Sequence, residues 1–190
     1  MDTKEFWSGE FGDEYLKRNQ IDWWARMPFW AGVISETTPG MVVEYGANCG
    51  WNLLAIRALR FNCAMAGVEL NAKACSRASA AGLCMMNTDI ISSSFGPCDL
   101  AFTAGVLIHI APEDLEITMR FIADSSKRYV LAVEYSADKE EEVAYRGHSG
   151  KLWRRPYGKL YQELGLELVK EWPAGEGFDN CTAWLLRKPS

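Results

Sequence analysis

Several features are scarce in this sequence, and each scarcity excludes a class of protein. The two histidines, His109 and His148, have no carboxylate cluster beside them and make a poor ligand set for a metal ion. No apolar run approaches the roughly 20 residues that cross a bilayer. The six cysteines form no Cys-x-x-Cys pair, lie mostly in apolar or small-residue runs and follow no signal peptide. We therefore expect no bound metal, no membrane association, six reduced cysteines and a cytoplasmic location.

Positive charge is also scarce. The chain has 20 lysines and arginines against 25 aspartates and glutamates, and its net charge of −5 argues against a binder of duplex nucleic acid. Its 190 residues, 48 % apolar and 24 % charged, are typical of a globular protein with one substantial core. We therefore expect one domain over residues 1–190 and no nucleic-acid partner.

Apolar runs and helical patterns alternate through most of the chain. Strands are predicted at Met41–Tyr45, Ala64–Val68, Leu83–Met86, Leu100–Thr103 and Tyr129–Val133. Helices are predicted between several of them, at Trp51–Arg60, Ala72–Ala80 and Glu113–Ser125. Such alternation implies right-handed crossovers and a doubly wound, mostly parallel sheet.

The N-terminal part of the chain predicts two aromatic-rich helices. The first extends over about Thr3–Asn19, with interruptions near Gly9 and Gly12. The second begins at the N-cap Asp22 and ends at about Ser35.

The C-terminal part departs from the alternating pattern. After a polar segment over residues 136–155, a helix at Tyr157–Leu164 precedes two strands, Leu166–Trp172 and Thr182–Arg187. The connection between these strands holds two glycines and no helical pattern. We therefore expect the two strands to form an antiparallel pair.

The stretch Val42–Leu54 carries the most specific pattern. A short apolar run reaches Glu44, turns through Gly46 and Gly50, and passes into an amphipathic helix. This is the strand–loop–helix geometry in which an α/β sheet cradles an adenosyl cofactor. Gly46 has no Cβ and lets the backbone approach a ligand, while Gly50 lets the helix begin without a clash. Glu69 ends the next apolar run, where a carboxylate accepts hydrogen bonds from a ribose diol.

The series Glu44-x-Gly46-x-Asn48-x-Gly50 resembles the first motif of the class I methyltransferases, an acidic residue followed by a G-x-G-x-G loop. Asn48 replaces the middle glycine, and asparagine tolerates the left-handed backbone region. A parallel sheet closed by an antiparallel hairpin is also the architecture of this family. The resemblance implies a Rossmann-like α/β fold with seven strands. It also implies S-adenosylmethionine as the cofactor and S-adenosylhomocysteine as its product.

The same resemblance implies a set of cofactor-binding residues at the carboxyl ends of successive strands. Glu69 resembles the residue that holds the ribose hydroxyls, and Asp89 the residue that contacts the adenine amino group. A plain glycine turn and, for Asp89, a helix cap are the open alternatives. A nicotinamide dehydrogenase is disfavoured, because the chain lacks both the G-x-G-x-x-G spacing and the length for a second domain. The implied residues are Gly46, Ala47, Asn48, Gly50, Asn52, Glu69, Leu70, Asp89, Ile90, Ala104 and Gly105.

Three further segments resemble the small methylases described as pseudaminic acid biosynthesis-associated. They are Phe6–Tyr15 with Arg18-Asn19, Gly105–Ile110 with Pro112, and Glu134-Tyr135 with Tyr145–His148 and Lys151-Leu152. This resemblance implies a helical lid over residues 1–38, a cofactor-binding core over 39–135, and an acceptor-side insertion with the C-terminal hairpin over 136–190.

The lid is expected to contact the cofactor, with Arg18 meeting its carboxylate. Simple packing of the aromatic side chains on the sheet edge is the alternative. The implied lid contacts are Trp7, Tyr15, Arg18 and Asn19.

Two residues are candidates for catalysis. His109 follows the fourth predicted strand and is the candidate base for a hydroxyl or amine acceptor. Its isoleucine neighbours leave a structural histidine open. Glu134 ends the fifth predicted strand, where it is expected to orient a hydroxyl or pair with an arginine, or to have a purely structural role.

Basic residues concentrate after the fifth predicted strand, in residues 145–155. Arginine binds phosphate and carboxylate groups bidentately, so the segment predicts a small anionic acceptor. A sugar nucleotide, a sugar phosphate, a phosphonate and an acidic sugar each satisfy this prediction. A solvated loop that balances the acidic run Asp138–Glu142 is the alternative. The candidate substrate-binding residues are Tyr135, Tyr145, Arg146, His148, Lys151 and Arg154.

The sequence therefore predicts an S-adenosylmethionine-dependent methyltransferase that acts on a small metabolite. The alternative from another class is a non-catalytic protein of this fold that binds the cofactor or a partner. A nucleic-acid or protein methyltransferase is disfavoured: the Asn/Asp-Pro-Pro-Tyr signature is missing, and the basic segment is too short to follow a long polyanion. The tryptophan-rich second helix leaves both a monomer and a homodimer open.

Overall fold

The computed structural model describes residues 3–59 and 62–189. In these residues the strands are β1 (Met41–Tyr45), β2 (Ala64–Glu69), β3 (Cys84–Asn87), β4 (Cys98–Ala104), β5 (Ser126–Glu134), β6 (Glu141–Glu142), β7 (Trp153–Arg154), β8 (Glu167–Pro173) and β9 (Thr182–Arg187). The α-helices are α1 (Thr3–Ser8), α2 (Glu10–Arg18), α3 (Met27–Thr37), α4 (Trp51–Leu59), α5 (Ala72–Ala80), α6 (Pro112–Ser125) and α7 (Tyr157–Glu163). Short 3₁₀ turns lie at Trp23–Arg26, Ile90–Ser92 and Leu107–His109.

Seven of these strands form the main sheet, in the order β3-β2-β1-β4-β5-β9-β8. The first five run parallel: Val43 of β1, for example, pairs with Ala66 of β2 on one side and with Ala101 of β4 on the other. The strand order reverses between β1 and β4. In open parallel sheets, the crevice outside the carboxyl ends of the strands at such a reversal is where ligands bind.

Alternate side chains of the parallel strands fill two cores, one on each face of the sheet. Val43 and Val130 belong to the core that α6 and α7 cover. Val42 and Leu131 belong to the opposite core, which α3 and α4 cover. Because both faces are covered, these strands are near-continuous apolar runs in the sequence.

The C-terminal strands confirm the predicted antiparallel pair. Strand β9 pairs antiparallel with both β5 and β8. Every predicted strand is present within three residues of its expected bounds. The sheet is therefore mostly parallel and closed by an antiparallel hairpin.

The first predicted helix breaks once, at Gly9, and not at Gly12. Gly12 lies inside α2, where a Cβ would overlap the carbonyl oxygen of Trp7 and come within 2.9 Å of the Asn71 side-chain amide. The glycine thus permits close packing rather than an interruption. The expectation of a break near Gly12 is wrong for this reason.

The second predicted helix starts as a 3₁₀ turn and continues as α3. The predicted N-cap is confirmed, because the Asp22 carboxylate accepts a hydrogen bond from the Trp24 N–H at 3.1 Å. Helix α3 ends at Thr37, two residues beyond the expected end. Helix α4 begins at Trp51 as predicted, and its expected last residue, Arg60, lies outside the described residues.

The polar segment after β5 contains a feature that the sequence analysis missed. Strands β6 and β7 pair antiparallel, with Glu141 opposite Arg154 and Glu142 opposite Trp153. This small sheet fixes which side chains of the segment face outward. In the part of the chain that the structure describes, no helix has the length and apolar character needed to cross a membrane. Among the described residues the six cysteines form no disulfide bond with one another.

Candidate active site

One large cavity, of about 930 Å³, lies at the carboxyl edge of the parallel strands. Helices α1 and α2 cover it, and the turn between β8 and β9 borders it. Most of the predicted cofactor-binding residues line it: Trp7, Tyr15, Arg18, Asn19, Gly46, Ala47, Asn48, Asn52, Glu69, Leu70, Asp89, Ile90, Ala104 and Gly105.

The loop after β1 has the backbone that the sequence predicted. The N–H groups of Gly46 and Ala47 donate to the carbonyl oxygen of Val68 at 2.8 and 2.9 Å, so the loop is anchored to the end of β2. Asn48 adopts the left-handed conformation with φ +51°, as predicted, and its side-chain oxygen accepts a hydrogen bond from the Cys49 N–H at 2.7 Å. The conformation of the loop is therefore fixed by hydrogen bonds to β2 and by one hydrogen bond within the loop.

The two glycines of this loop have different neighbours. A Cβ at Gly46 would overlap the side chain of Val106, while a Cβ at Gly50 would overlap Leu83. Both residues also have positive φ, +74° and +75°. Gly50 is buried and lies outside the cavity lining. Gly50 allows the loop to pack against Leu83, the residue before β3, and its contact with the cofactor stays a prediction.

Glu44 is the most unusual group in the cavity wall. Its side chain is 2 % exposed, and one carboxylate oxygen accepts a hydrogen bond from the Asn52 amide at 2.6 Å. The other oxygen, Oε2, is buried and has no hydrogen-bond partner among the described residues. Burial raises the pKa of this carboxyl to about 8. A buried acceptor without a partner is costly, and a donor or cation in the cavity would relieve that cost.

Asn52 acts through Glu44 rather than on its own. Its side-chain oxygen accepts hydrogen bonds from Arg26 at 2.9 Å and from the Trp30 indole at 3.1 Å, while its nitrogen donates to Glu44. Asn52 lines the cavity, but these bonds commit its amide to the protein. It therefore positions the carboxylate of Glu44.

Glu69 joins two neighbouring segments at the end of β2. Its carboxylate accepts hydrogen bonds from the backbone N–H groups of Asn48 and Asn71, each at 2.7 Å. An ionised carboxylate has about four acceptor positions, so capacity remains for a ligand diol. Burial raises the pKa of Glu69.

Asp89 has the capping role that the sequence left open, and its contact with the adenine stays a prediction. It caps the following 3₁₀ turn, with its carboxylate accepting bonds from the N–H and the hydroxyl of Ser92 at 3.1 and 2.9 Å. It also lines the cavity and lies 3.7 Å from the ammonium group of Lys4 in α1.

The two N-terminal helices are fixed to the sheet edge through Asn71. Its side-chain nitrogen donates to the Trp7 carbonyl oxygen at 3.3 Å and to the Asp13 carboxylate at 3.1 Å. The Trp7 indole N–H is buried and has no hydrogen-bond partner among the described residues. Tyr15 also faces the cavity, and burial raises its pKa to about 12.

His109 lies in the 3₁₀ turn after β4, and its ring lines the cavity. Its Nδ1 is 2.7 Å from the carbonyl oxygen of Lys151, which can only accept, so Nδ1 carries the proton and Nε2 is the acceptor. The ring centroid lies 4.4 Å from that of Trp7 and 5.2 Å from that of Tyr145. Burial lowers the pKa of His109 to about 4, so the ring is neutral near pH 7 and is a weak base.

Glu134 does not reach the cavity. It is 0 % exposed, and both carboxylate oxygens accept backbone N–H bonds, from Val106 at 2.9 Å, Leu107 at 3.2 Å and Ile108 at 3.4 Å. Burial raises its pKa to about 7. Both oxygens of Glu134 are bonded to the turn that carries His109, which is the structural alternative for this residue, and its catalytic role stays a prediction.

The predicted substrate-binding residues separate into two groups. Tyr135, Tyr145 and Arg146 line the cavity. The other three, His148, Lys151 and Arg154, lie outside the cavity lining, and their role in substrate binding stays a prediction.

Each of these three side chains has another contact. His148 packs against the rings of Phe6 and Phe11, at centroid distances of 5.1 and 5.6 Å. The Lys151 ammonium lies over the Phe6 ring at 5.2 Å. Arg154 pairs with Glu141 at 3.5 Å.

Sequence reasoning missed several residues of the cavity wall. Glu44 belongs to the recognised motif, but the sequence analysis gave it no binding role. Only the structure shows that one of its carboxylate oxygens is buried without a hydrogen-bond partner. Arg26 and Asp179 come from distant parts of the chain, and no local pattern marks them. Val106 lies in the quoted segment Gly105–Ile110, but the sequence analysis gave it no role. Asp179 accepts a hydrogen bond from the Tyr135 hydroxyl at 3.0 Å, which ties the β8–β9 turn to the cavity floor. Among the described residues, no group of three or more His, Cys, Asp or Glu side chains is arranged to hold a metal ion.

Solved methyltransferase structures resemble this chain in fold. The magnesium protoporphyrin IX methyltransferase of Synechocystis PCC 6803 with bound SAM has a TM-score of 0.73 and 13 % identity, over 100 % of this chain and 98 % of that one. The 1,6-didemethyltoxoflavin-N1-methyltransferase of Burkholderia thailandensis, with its namesake compound and S-adenosylhomocysteine bound, has a TM-score of 0.75 and 14 % identity, over 99 % and 87 %. A S-adenosylmethionine-dependent methyltransferase of Clostridium acetobutylicum ATCC 824 has a TM-score of 0.68 and 12 % identity, over 95 % and 98 %.

No family model and no curated protein sequence matches this chain. The resemblance to the pseudaminic acid biosynthesis-associated methylases therefore stays a prediction. Sequence identities of 12–14 % carry the fold alone. The chain has the Rossmann-like fold of the class I methyltransferases, a mostly parallel seven-stranded sheet closed by an antiparallel hairpin.

Proposed function

We propose that this chain is an S-adenosylmethionine-dependent methyltransferase that acts on a small anionic metabolite. The observation that carries the proposal is the unpartnered Oε2 of Glu44, buried in the wall of a cavity at the strand-order reversal. The cofactor carries a positively charged amino group, which would supply the missing donor. The fold of the neighbouring solved structures supports the same assignment.

The residues of the cavity fit each part of this cofactor. Glu44 would accept from the amino group, Glu69 from the ribose hydroxyls, and Asp89 with Ile90 would meet the adenine. Arg18, in the last turn of α2, would pair with the carboxylate. When bound, the cofactor supplies a methyl group that its sulfonium already activates for displacement.

The protein's own contribution is then alignment, exclusion of water and a hydrogen-bond acceptor. Helices α1 and α2 close the cavity, and the rings of Trp7 and Tyr15 provide faces that favour a cationic ligand. His109 Nε2 would accept a hydrogen bond from an acceptor hydroxyl or amine and fix its lone pair. With a pKa of about 4, the imidazole orients the acceptor more effectively than it removes a proton.

The inference that the methyl acceptor is anionic rests on Arg146. Of the four basic side chains between residues 145 and 155, Arg146 alone lines the cavity. It lies in the turn closed by reciprocal backbone bonds between Tyr145 and His148, at 2.8 and 2.9 Å, with φ +50°. A guanidinium held at the cavity by a closed turn supports recognition of a phosphate or carboxylate group.

Calorimetry with S-adenosylhomocysteine tests the cofactor assignment. The wild-type chain should bind it, and Glu69→Gln should bind about 10 to 100 times more weakly, because a charge-assisted contact to the ribose is lost. Glu167→Gln is the matched control: Glu167 pairs with Arg187 on β8 and β9, far from the cavity lining. No binding by the wild type, or equal losses in both variants, would overturn the assignment.

Turnover with labelled S-adenosylmethionine tests the acceptor assignment. A panel of sugar phosphates, sugar nucleotides, phosphonates and acidic sugars should contain at least one methylated compound. Arg146→Ala should raise its KM about tenfold while the affinity for S-adenosylhomocysteine stays constant. Arg154→Ala, a change in an outward-facing arginine, should alter neither. Binding of the cofactor without turnover of any acceptor would favour the non-catalytic alternative.

A further inference from the structure

The backbone N–H groups of the turn that carries His109 donate hydrogen bonds to a buried carboxylate. The carboxylate of Glu134 accepts from three consecutive N–H groups, those of Val106, Leu107 and Ile108. Glu134 is 0 % exposed. These bonds fix the entry of the turn against the end of β5.

The same turn is bonded to a second buried charge on its carbonyl side. One nitrogen of Arg155 donates to the carbonyl oxygens of Leu107 and Ile110, at 3.2 and 3.0 Å. Arg155 is 1 % exposed, and its Nε donates to the Glu140 carboxylate at 2.6 Å. A negative and a positive side chain thus hold the two polar sides of one short turn.

This arrangement is an expensive way to build a turn. Removing two charges from water costs several kcal/mol per ion, and well-packed apolar residues often give equal or greater stability. Buried N–H and C=O groups are satisfied by backbone, by side chains or by ordered water, so a turn does not need buried ionisable partners. We therefore attribute Glu134 and Arg155 to the fixed geometry of the turn rather than to stability.

The third restraint acts on the imidazole itself. The carbonyl oxygen of Lys151 accepts from His109 Nδ1 at 2.7 Å, and Lys151 lies four residues before Arg155 in the same segment. The segment that places the guanidinium beside the turn therefore also selects the protonated nitrogen of the ring. The opposite nitrogen, Nε2, is left as an acceptor in a ring that lines the cavity.

We propose that Glu134 and Arg155 are positioning residues that hold His109 in one orientation and one tautomer, with Nε2 presented to the methyl acceptor. Neither residue contacts the acceptor. The proposal deepens the proposed function, on which the role of Nε2 toward an acceptor rests. The orientation and the tautomer are properties of the protein itself.

Nitrogen NMR of the imidazole rings tests the orientation without any reaction. The chain has two histidines, so a His148→Gln variant assigns both rings. The two-bond correlation pattern of His109 should show one tautomer with the proton on Nδ1. In Glu134→Gln and Arg155→Met the pattern should change to a mixture of tautomers. A wild-type ring protonated on Nε2, or an unchanged pattern in both variants, would overturn the proposal.

Arg154→Met is the matched control for Arg155→Met. The two arginines are adjacent, but Arg154 is exposed and pairs with Glu141. The control should leave the His109 pattern unchanged. Should Arg155→Met not fold, Glu134→Gln and Arg155→Lys carry the test, because glutamine matches the shape of glutamate and lysine keeps the charge without the fork.

Kinetics separate a positioning role from a merely structural one. In Glu134→Gln, kcat should fall about 10 to 100-fold while the affinity for S-adenosylhomocysteine changes less than threefold. Equal losses of kcat and cofactor affinity would count against positioning. A wild-type chain that keeps the Nδ1 tautomer but binds no cofactor would refute the proposed function and leave the positioning of His109 intact.

Discussion

Glu44 and Glu134 are two buried glutamates at the carboxyl ends of parallel strands, and the structure uses them in opposite ways. Both are at most 2 % exposed. Glu134 has both oxygens bonded to backbone N–H groups of the chain, while Glu44 keeps one oxygen without a partner at the cavity wall. The comparison teaches that burial at a strand end does not identify a ligand-binding carboxylate. The unsatisfied acceptor of Glu44 is the feature from which we infer a ligand contact.

The two strand ends meet at Val106. Its N–H donates to Glu134 at 2.9 Å, and its side chain occupies the space where a Cβ of Gly46 would lie. The loop after β1 and the turn after β4 are thus in direct contact. Substitutions in the loop or in the turn therefore test whether Glu44 and Glu134 have different roles.

The largest effect is expected for Gly46→Ala. The new methyl group would overlap Val106, and alanine would have to adopt φ +74°. Steric overlap and left-handed backbone together should lower the free energy of unfolding by about 3 kcal/mol. Gly105→Ala is the control, because its φ is +69° but nothing lies within 4 Å of the new Cβ, so the loss should be about 1 kcal/mol. Urea unfolding measures both, and equal losses would mean that Val106 does not restrict the loop.

The next effect separates the two glutamates by cofactor affinity. Glu44→Gln removes the carboxyl that would ionise against the amino group of the ligand, and it should weaken binding of S-adenosylhomocysteine by about 30 to 100-fold. Glu134→Gln should weaken it less than threefold, since that side chain lies outside the cavity lining. Titration calorimetry on the two variants decides the point. Similar affinities would place the two carboxyls in the same role.

A smaller effect concerns the dependence of stability on pH without cofactor. Burial raises the pKa of Glu44 to about 8 and that of Glu134 to about 7, from an ordinary value of 4.5. The folded state therefore binds these protons more tightly, and stability is lost as pH rises through each folded pKa. Each Glu→Gln variant should therefore lose less stability than the wild type as the pH rises from 5 to 8.5, and the difference should be greater for Glu44→Gln than for Glu134→Gln. Parallel curves of unfolding free energy against pH would show that these carboxyls titrate normally.

The smallest effect concerns His109, which lies on the turn that Glu134 contacts. We expect its protonation state to stay the same between pH 7.5 and 5.5. Burial lowers its pKa to about 4, so the ring should stay neutral between pH 7.5 and 5.5. Ring nitrogen shifts recorded across this range, with His148→Gln for assignment, should move by less than a tenth of the full protonation shift. A midpoint near 6.5 would show that water reaches the ring freely.

Local sequence patterns predicted the fold because the decisive features are local. Apolar runs of four or five residues marked the parallel strands. The loop after β1 carried its own signal in Gly46 and Asn48, which both have positive φ in the structure. Strand bounds were less certain, because tertiary pairing extends β5 by three residues beyond the apolar run that predicted it.

The site was less predictable because its contacts are long-range. Arg154 and Arg155 are adjacent in a basic run, yet one pairs with Glu141 outside and the other is buried beside Leu107. Their separation depends on the β6–β7 pairing, which no local pattern revealed. Gly50 matched a motif, but its neighbour Leu83 is 33 residues away along the chain. Sequence position alone could not distinguish a ligand contact from a packing contact.

The contact of Val106 with Gly46 has a consequence for how related sequences can vary. Two methyl groups of Val106 set the spacing between the loop after β1 and the turn that carries His109. A larger residue at position 106 would displace the loop after β1 away from the turn, and a smaller one would leave a gap that the loop would move to fill. Positions 46 and 106 should therefore change together across homologues or stay fixed together, although sixty residues of chain separate them.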